Sequence, residues 1–143
     1  MKPASKHLSL HSQNTSVVLE LPEGEAPLWR YWGPRIGNTA PHGLRDSRPL
    51  PSFMLDFDQP LTLAPSFGVG WFGQSALLAH RQGQAFAQAF TDCKLLWEVP
   101  EQSVRVVLTD PLAAIELTVH LRMDSQSDVL TLQSSLRNLG ETN

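Results

Sequence analysis

Three glycines, Gly68, Gly70 and Gly73, fit the pattern G-x-G-x-x-G. Asp92 follows about 20 residues on, where an acid that holds a ribose would stand in a dinucleotide site. That chemistry requires a strand before the glycines and a helix after them, with backbone amides open to a pyrophosphate. The preceding PLTLAPSF carries two prolines, and Gly83 would interrupt the following helix at a cost of about 1 kcal/mol relative to alanine. Trp71 and Phe72 fill the approach, so a tight loop with two aromatics accounts better for the glycines. Asp56 and Asp58 in MLDFD would share a strand face about 7 Å apart, within the range of a pair of carboxylates that act through an intervening water. No further polar constellation surrounds them, and two acids in an exposed loop are commonplace. His7 and His11 have helical spacing, but Leu8 and Leu10 alternate between them, and on a strand the histidines stand about 13 Å apart, too far for one metal ion. His42, His80 and His120 stand alone, which fits surface or hydrogen-bonded roles. Cys93 is the only cysteine; with Asp92 and Lys94 beside it, it reads as a half-buried structural thiol, and no disulfide can form within the chain. No serine lies in a nucleophile elbow, and no phosphate loop is present.

These residues are to be placed by strands. His7 to Ser12 and Val17 to Leu21, separated by the polar QNTS, predict an opening hairpin. PEGEAP then turns the chain into LWRYWGPRI, residues 28–36, which holds two of the four tryptophans and the only tyrosine. Strand alternation predicts Trp29 and Tyr31 on one side, with Leu28, Arg30 and Trp32 on the other. Gly33 and Pro34 end that strand. Five prolines fall between Gly37 and Pro65 (Pro41, Pro49, Pro51, Pro60 and Pro65), and so long a connection is expected to be functional or held by a partner. Ala76 to Arg81 and Ala85 to Asp92 flank Gln82 and Gly83 as a hairpin, although the alanine-rich stretch also reads as helix. Lys94 to Val99 and Val104 to Thr109 predict paired strands. Ile115 to Met123 alternates without fault, with Ile115, Leu117, Val119, Leu121 and Met123 facing the core. Val129 to Arg137 closes the pattern with Leu130, Leu132 and Leu136 inward. Eight or nine short strands and no convincing helix predict an all-β, antiparallel β-sandwich.

The 143 residues suffice for one sizeable core, in one domain or a piece of a larger one. At 41% hydrophobic and 17% charged the chain is that of a folded soluble protein. A net charge of −3 without a run of like charge excludes an electrostatic case for nucleic acid, and Arg30, Arg35, Arg45 and Arg48 are interrupted by acidic and apolar residues. MKPASKHLSL lacks the apolar run of a secretory signal, and no segment approaches the ~20 apolar residues of a membrane span. A cytoplasmic location without membrane contact is the expectation. The Asn14 to Ser16 sequon carries no weight without secretion.

Periodicity and spacing disclose no reaction. Three segments taken in order, however, carry a likeness. SVVLEL with LWRYWGPRI presents a strand pair ending in Tyr31, Trp32 and Gly33, with a basic Arg35. PSFGVGWFGQSALLAHRQGQ presents an aromatic and glycine stretch, then a turn. VRVVLTDPLAAIELTVHLRMDSQSDVLTLQSSLRNLGE presents three strands, an LxD turn and an N-x-G end. In this joint order the chain resembles the amino-terminal domain of glycoside hydrolase family 36, the bacterial α-galactosidases. It departs from the family in Pro34, where lysine is usual, in Trp71 to Gly73, where the family has Asp-Phe-Arg, and in the absence of a GLPA stretch before Val104.

The resemblance implies a galactose-mutarotase-like β-supersandwich, in part or whole, placed ahead of a (β/α)8 barrel. A barrel alone takes about 250 residues, so residues 1–143 are expected to be the amino-terminal domain of a longer retaining α-galactosidase, without catalytic residues and inactive alone. It implies no cofactor or metal. Its implied partners are the enzyme's own catalytic barrel, further copies in a homo-oligomer, and an α-galactoside such as melibiose or raffinose; transfer chemistry of the raffinose synthase kind is related. In tetrameric members a loop after the YWG strand reaches a neighbouring subunit's pocket, which assigns Asp46 and Arg48 as candidate substrate-binding residues here. Trp71 is a third, as an exposed indole face suits a sugar's apolar face. A stand-alone carbohydrate-binding β-sandwich is the alternative, and a strand edge left open after the N-x-G turn would be a site of self-association.

Overall fold

The computed structural model describes residues 6–37 and 61–141. Among them seven strands form two antiparallel sheets, so the expected all-β sandwich is found, with one short 3-10 turn at Phe67–Val69. The first sheet has the order β1-β2-β3 and the second β4-β5-β6-β7, each strand pairing with its neighbour in sequence. In the first sheet, β1 is Lys6–His11, β2 Thr15–Leu21 and β3 Leu28–Pro34; in the second, β4 is Asp92–Val99, β5 Ser103–Asp110, β6 Ile115–Met123 and β7 Leu130–Asn138. These bounds agree to within two residues with the sequence expectation for the opening hairpin, for the Pro34 stop and for the four later strands.

The core forms where the inner faces meet. Leu8, Leu10, Val17 and Leu19 of the first sheet pack with Val104, Val106, Leu108, Leu117, Val119 and Leu121 of the second. Full burial of one such side chain contributes about 1.5–3 kcal/mol. β6 alternates as its sequence does, every second residue from Ile115 to Met123 being buried. In β7 the leucines do lie on this inner row, since Leu117 faces Leu136 and Leu121 faces Leu132. Leu130 packs against the core, but Leu132 and Leu136 remain 47% and 51% exposed.

Two expectations change. β3 does not keep a simple alternation: Leu19 pairs with Trp29 and Val18 with Tyr31, so Arg30 is an extra residue in a bulge. A bulge shifts the register by one and moves later side chains to the opposite face. Trp29 and Trp32 therefore share a side, their rings stacked with centroids 6.0 Å apart. Arg30 is held by Glu20, Nε to Oε2 at 2.6 Å. The stretch 76–92 is neither hairpin nor helix up to Thr91; only an isolated bridge joins Arg81 and Gln84 around the expected Gln82-Gly83 turn.

Side chains close both ends of the sandwich. At one end the turn between β1 and β2 meets the turns of the other sheet: His11 N donates to Glu101 O at 2.8 Å and Gln13 N to Ser125 O at 3.1 Å. Asp128 there accepts from Ser12 Oγ and, at 3.0 Å, from Asn14 Nδ2. At the other end Arg81 donates to Ala113 O at 3.2 Å and to Asn138 Oδ1 at 2.6 Å. Asp110 accepts the amides of Ala89, Leu112 and Ala113 at 2.8, 2.9 and 2.9 Å. The connection from 61 to 91 is thereby fastened to the four-stranded sheet.

Candidate functional site

The glycines in this connection have local physical reasons. Gly70 adopts φ +82°, a left-handed conformation. Gly68 donates its amide to Gln88 O at 3.0 Å, and a Cβ there would stand 2.4 Å from that oxygen. Gly73 lies against the Trp71 indole, and a Cβ there would stand 2.8 Å from its Nε1. Among the described residues no strand leads directly into these glycines and no helix follows them, so the phosphate cradle of a dinucleotide site is not formed.

Trp71, the one candidate substrate residue among those described, sits just after the 3-10 turn. Its indole is half-exposed and donates Nε1 to Gln74 O at 3.0 Å. Asp46 and Arg48 lie outside the described residues, as do His42, Asp56 and Asp58. The remaining histidines take hydrogen-bonded or surface roles. His11 is buried with Nδ1 2.7 Å from Ser16 Oγ, and loss of hydration pushes its pKa down, with Glu101 raising it and Arg35 lowering it. His80 Nδ1 accepts from Gly83 N at 3.3 Å, and His7 is exposed on β1. Among the described residues no cluster of three His, Cys, Asp or Glu side chains could hold a metal ion. Cys93 is half-buried, and burial pushes its thiol pKa up, against reactivity.

The densest polar cluster lies on the outer face of the four-stranded sheet, at the end where the first sheet's turn docks. A bulge in β4, between the pairs Trp97 with Val104 and Val99 with Ser103, leaves Glu98 without a partner residue. Its Oε1 meets Arg105 Nη2 at 2.6 Å. Its Oε2 accepts from Ser103 Oγ at 3.0 Å and lies 3.0 Å from His120 Nε2, which is itself 2.9 Å from Ser103 Oγ. The Ser103 hydrogen bond first, then Arg105 and His120, hold the Glu98 carboxyl below the usual carboxylate range. Serine, histidine and glutamate together invite comparison with a nucleophilic triad, which needs the acid on one imidazole nitrogen and the serine on the other. Here both meet Nε2 and the serine proton goes to the carboxylate, so nothing activates Ser103. Cross-strand pairing puts Ser103, Arg105, His120 and Arg122 on one polar face, and Glu98, two residues beyond the Leu96 that pairs with Arg105, lies on that face as well.

The described residues therefore contain no catalytic constellation. The chain is 28% identical over 138 residues to an α-galactosidase of Escherichia coli, covering 96% of this chain and 19% of that protein. Among solved structures it is similar to a variant of the GH36 α-galactosidase AgaA of Geobacillus stearothermophilus, crystallised in complex with 1-deoxygalactonojirimycin. That match has a TM-score of 0.65 at 16% identity and covers 96% of this chain and 23% of the other. The chain thus spans about a fifth of the length of the relatives it matches. Residues 25–143 match the model of the glycosyl hydrolase family 36 N-terminal domain, and the chain belongs to that family.

Proposed function

We propose that this domain is a non-catalytic scaffold of an α-galactosidase, supporting a catalytic barrel that hydrolyses terminal α-galactosides such as melibiose and raffinose. The observation that carries this reading is the apolar surface left open at the margins of the sandwich. On the inner row of the four-stranded sheet Leu132, Leu136 and Trp97, the last 43% exposed, continue the buried rows of β6 and β5 past the cover of the smaller sheet. The connection 61–91 adds Phe72, Leu78 and Phe86, all well exposed. Side chains of this size in rows beside a core mark contact surface for further polypeptide. The relatives, four to five times longer than the aligned segment, have the additional chain to cover it.

In this reading the loop after the YWG strand, with Asp46 and Arg48, reaches a substrate pocket, in a homo-oligomer the pocket of a neighbouring subunit, and Trp71 contributes an aromatic face. The place of action is the cytoplasm. The test has two parts. The 143-residue chain alone is expected to release no p-nitrophenol from p-nitrophenyl α-galactoside, and turnover by it refutes the reading. In an enzyme carrying this domain and the barrel, replacing Asp46 or Arg48 by alanine is expected to raise KM for raffinose more than for the p-nitrophenyl substrate. Saturable quenching of tryptophan fluorescence by galactosides on the isolated chain would favour the stand-alone sugar-binding module instead.

A further inference from the structure

The Glu98 cluster forms one wall of a groove of about 260 Å³ between the β4–β5 and β6–β7 turns. Pockets that enclose drug-sized ligands run from about 300 to 1,000 Å³, so this one suits a smaller molecule, a single ring or short chain. Val99 and the buried Met123 also line it, together with Gln102, Arg122, Asp124 and Ser125.

The groups in the groove divide into those already committed and those open. Ser103, 5% exposed, gives its proton to Glu98. With that proton spent, His120 Nε2 must carry hydrogen to approach Ser103 Oγ and Glu98 Oε2, which leaves Nδ1 as an acceptor in the neutral ring. Asp124 uses Oδ1 on the amides of Gln126 and Ser127, at 3.0 and 2.8 Å, and on the Ser127 hydroxyl at 2.8 Å. Arg122, Gln102 and Ser125 line the groove without a side-chain hydrogen bond or ion pair among the described residues. The open set thus mixes donors (Arg122, Ser125, the Gln102 amide) with acceptors (Asp124 Oδ2, His120 Nδ1), beside the lone pairs that the Glu98 oxygens keep in addition to their bonds to Arg105, Ser103 and His120. Two carboxylates stand against Arg105 and Arg122, so neither an anion nor a cation is favoured. A hydroxyl both donates and accepts, and adjacent hydroxyls on one molecule match this mixture.

We propose that the groove beside the β4 bulge binds a small neutral polyol, with neighbouring hydroxyls shared between Glu98 and Arg122. Beside the bulge, Ser103, Arg105 and His120 hold Glu98 in one orientation before the ligand arrives. The site depends on these residues alone and not on the enzyme to which the domain belongs.

Titration of the chain with myo-inositol, D-galactose or glycerol, followed by amide NMR, tests this. Saturable shifts at residues 98–103 and 122–125 in the millimolar range are expected, with the amides around Trp71 unmoved. Arg122→Ala, which breaks no ion pair, is expected to weaken binding about tenfold, the loss of one charge-assisted hydrogen bond, and Glu98→Gln to weaken it comparably. Three results overturn the proposal: no saturable shift with any of the polyols up to about 100 mM, well above a millimolar Kd; saturation by phosphate or acetate in preference to the polyols; or polyol shifts that Arg122→Ala leaves intact. Failure here leaves the α-galactosidase assay untouched, so the two readings are separable.

Discussion

Asp110 is buried, 3% exposed, and its carboxylate accepts three backbone amides. Oδ1 closes the β5–β6 turn through Leu112 and Ala113, while Oδ2 holds Ala89 in the connection 61–91. In Asp110→Ala all three donors lose their acceptor. Leu112 is 87% exposed, and its amide can turn to water. Ala113 is buried and Ala89 half-buried, and an unsatisfied buried donor costs about 1–3 kcal/mol. A loss of about 3 kcal/mol follows, a large share of the roughly 5–15 kcal/mol that holds a domain folded, and it corresponds to a fall in Tm of about 6–12 °C at this size. Asp110→Asn separates the contributions: its carbonyl can keep the turn, but its amide group would face the Ala89 N–H, donor against donor, so about 1–2 kcal/mol should go. Urea unfolding followed by tryptophan fluorescence measures both, with an unchanged m-value as the check that the same surface unfolds. Exchange of the Ala89 amide should accelerate in both variants. Destabilisation by Asp110→Ala of less than about 0.5 kcal/mol, the range of an indifferent surface change, would refute the reasoning, as would equal damage from the two variants, which would make charge and not acceptor count the cause.

His11 supplies a pH dependence. Its folded pKa lies below the ordinary value of about 6.5, so its contribution is complete above that pH and is lost as pH falls through the folded value, the unfolded chain taking up the proton first. Urea midpoints between pH 7 and 5 should fall in the parent chain and fall less in His11→Gln, which can still bond Ser16. Gly68→Ala drives a Cβ to within 2.4 Å of Gln88 O and 2.7 Å of Ala87 O; a loss of about 1–3 kcal/mol in the same urea assay is expected, as for other overpacked sites. The Cys93 thiol, raised in pKa by burial, should react with a disulfide reagent at neutral pH about tenfold more slowly in the native chain than in urea. Ala114, at φ +51° in the β5–β6 turn, should be stabilised by replacement with glycine by up to about 1 kcal/mol, read as a rise in Tm.

Much of the fold was legible along the chain because its signal is local. β6 shows this most plainly: five apolar residues at spacing two required a half-buried strand whatever surrounded it. The β3 tryptophans show the limit. Their expected faces followed from counting alternate residues, but a bulge belongs to a pair of strands, and only pairing with β2 decides where the extra residue goes. The same holds for Glu98, which nothing in CKLLWEV marks out and which strand pairing brings to Ser103, Arg105 and His120. The segment 76–92 misled because alanine suits helix and strand alike. Its path is set instead by long-range bonds, among them Gln88 Nε2 to Ala79 O and Ala85 O and the Asp110 bond to Ala89.

Residue order alone determined that this chain pairs short antiparallel strands around one core, that its glycine motif lacks the flanking strand and helix of a nucleotide site, and that its segments follow the order of a glycosidase's amino-terminal domain. These are properties of periodicity and order, which a linear text records. Tertiary structure decided which tryptophan faces which side, how far the smaller sheet covers the larger, and which polar side chains meet over the β4 bulge. Those depend on register and on the meeting of residues distant in sequence, and a shift of one residue in pairing reverses them.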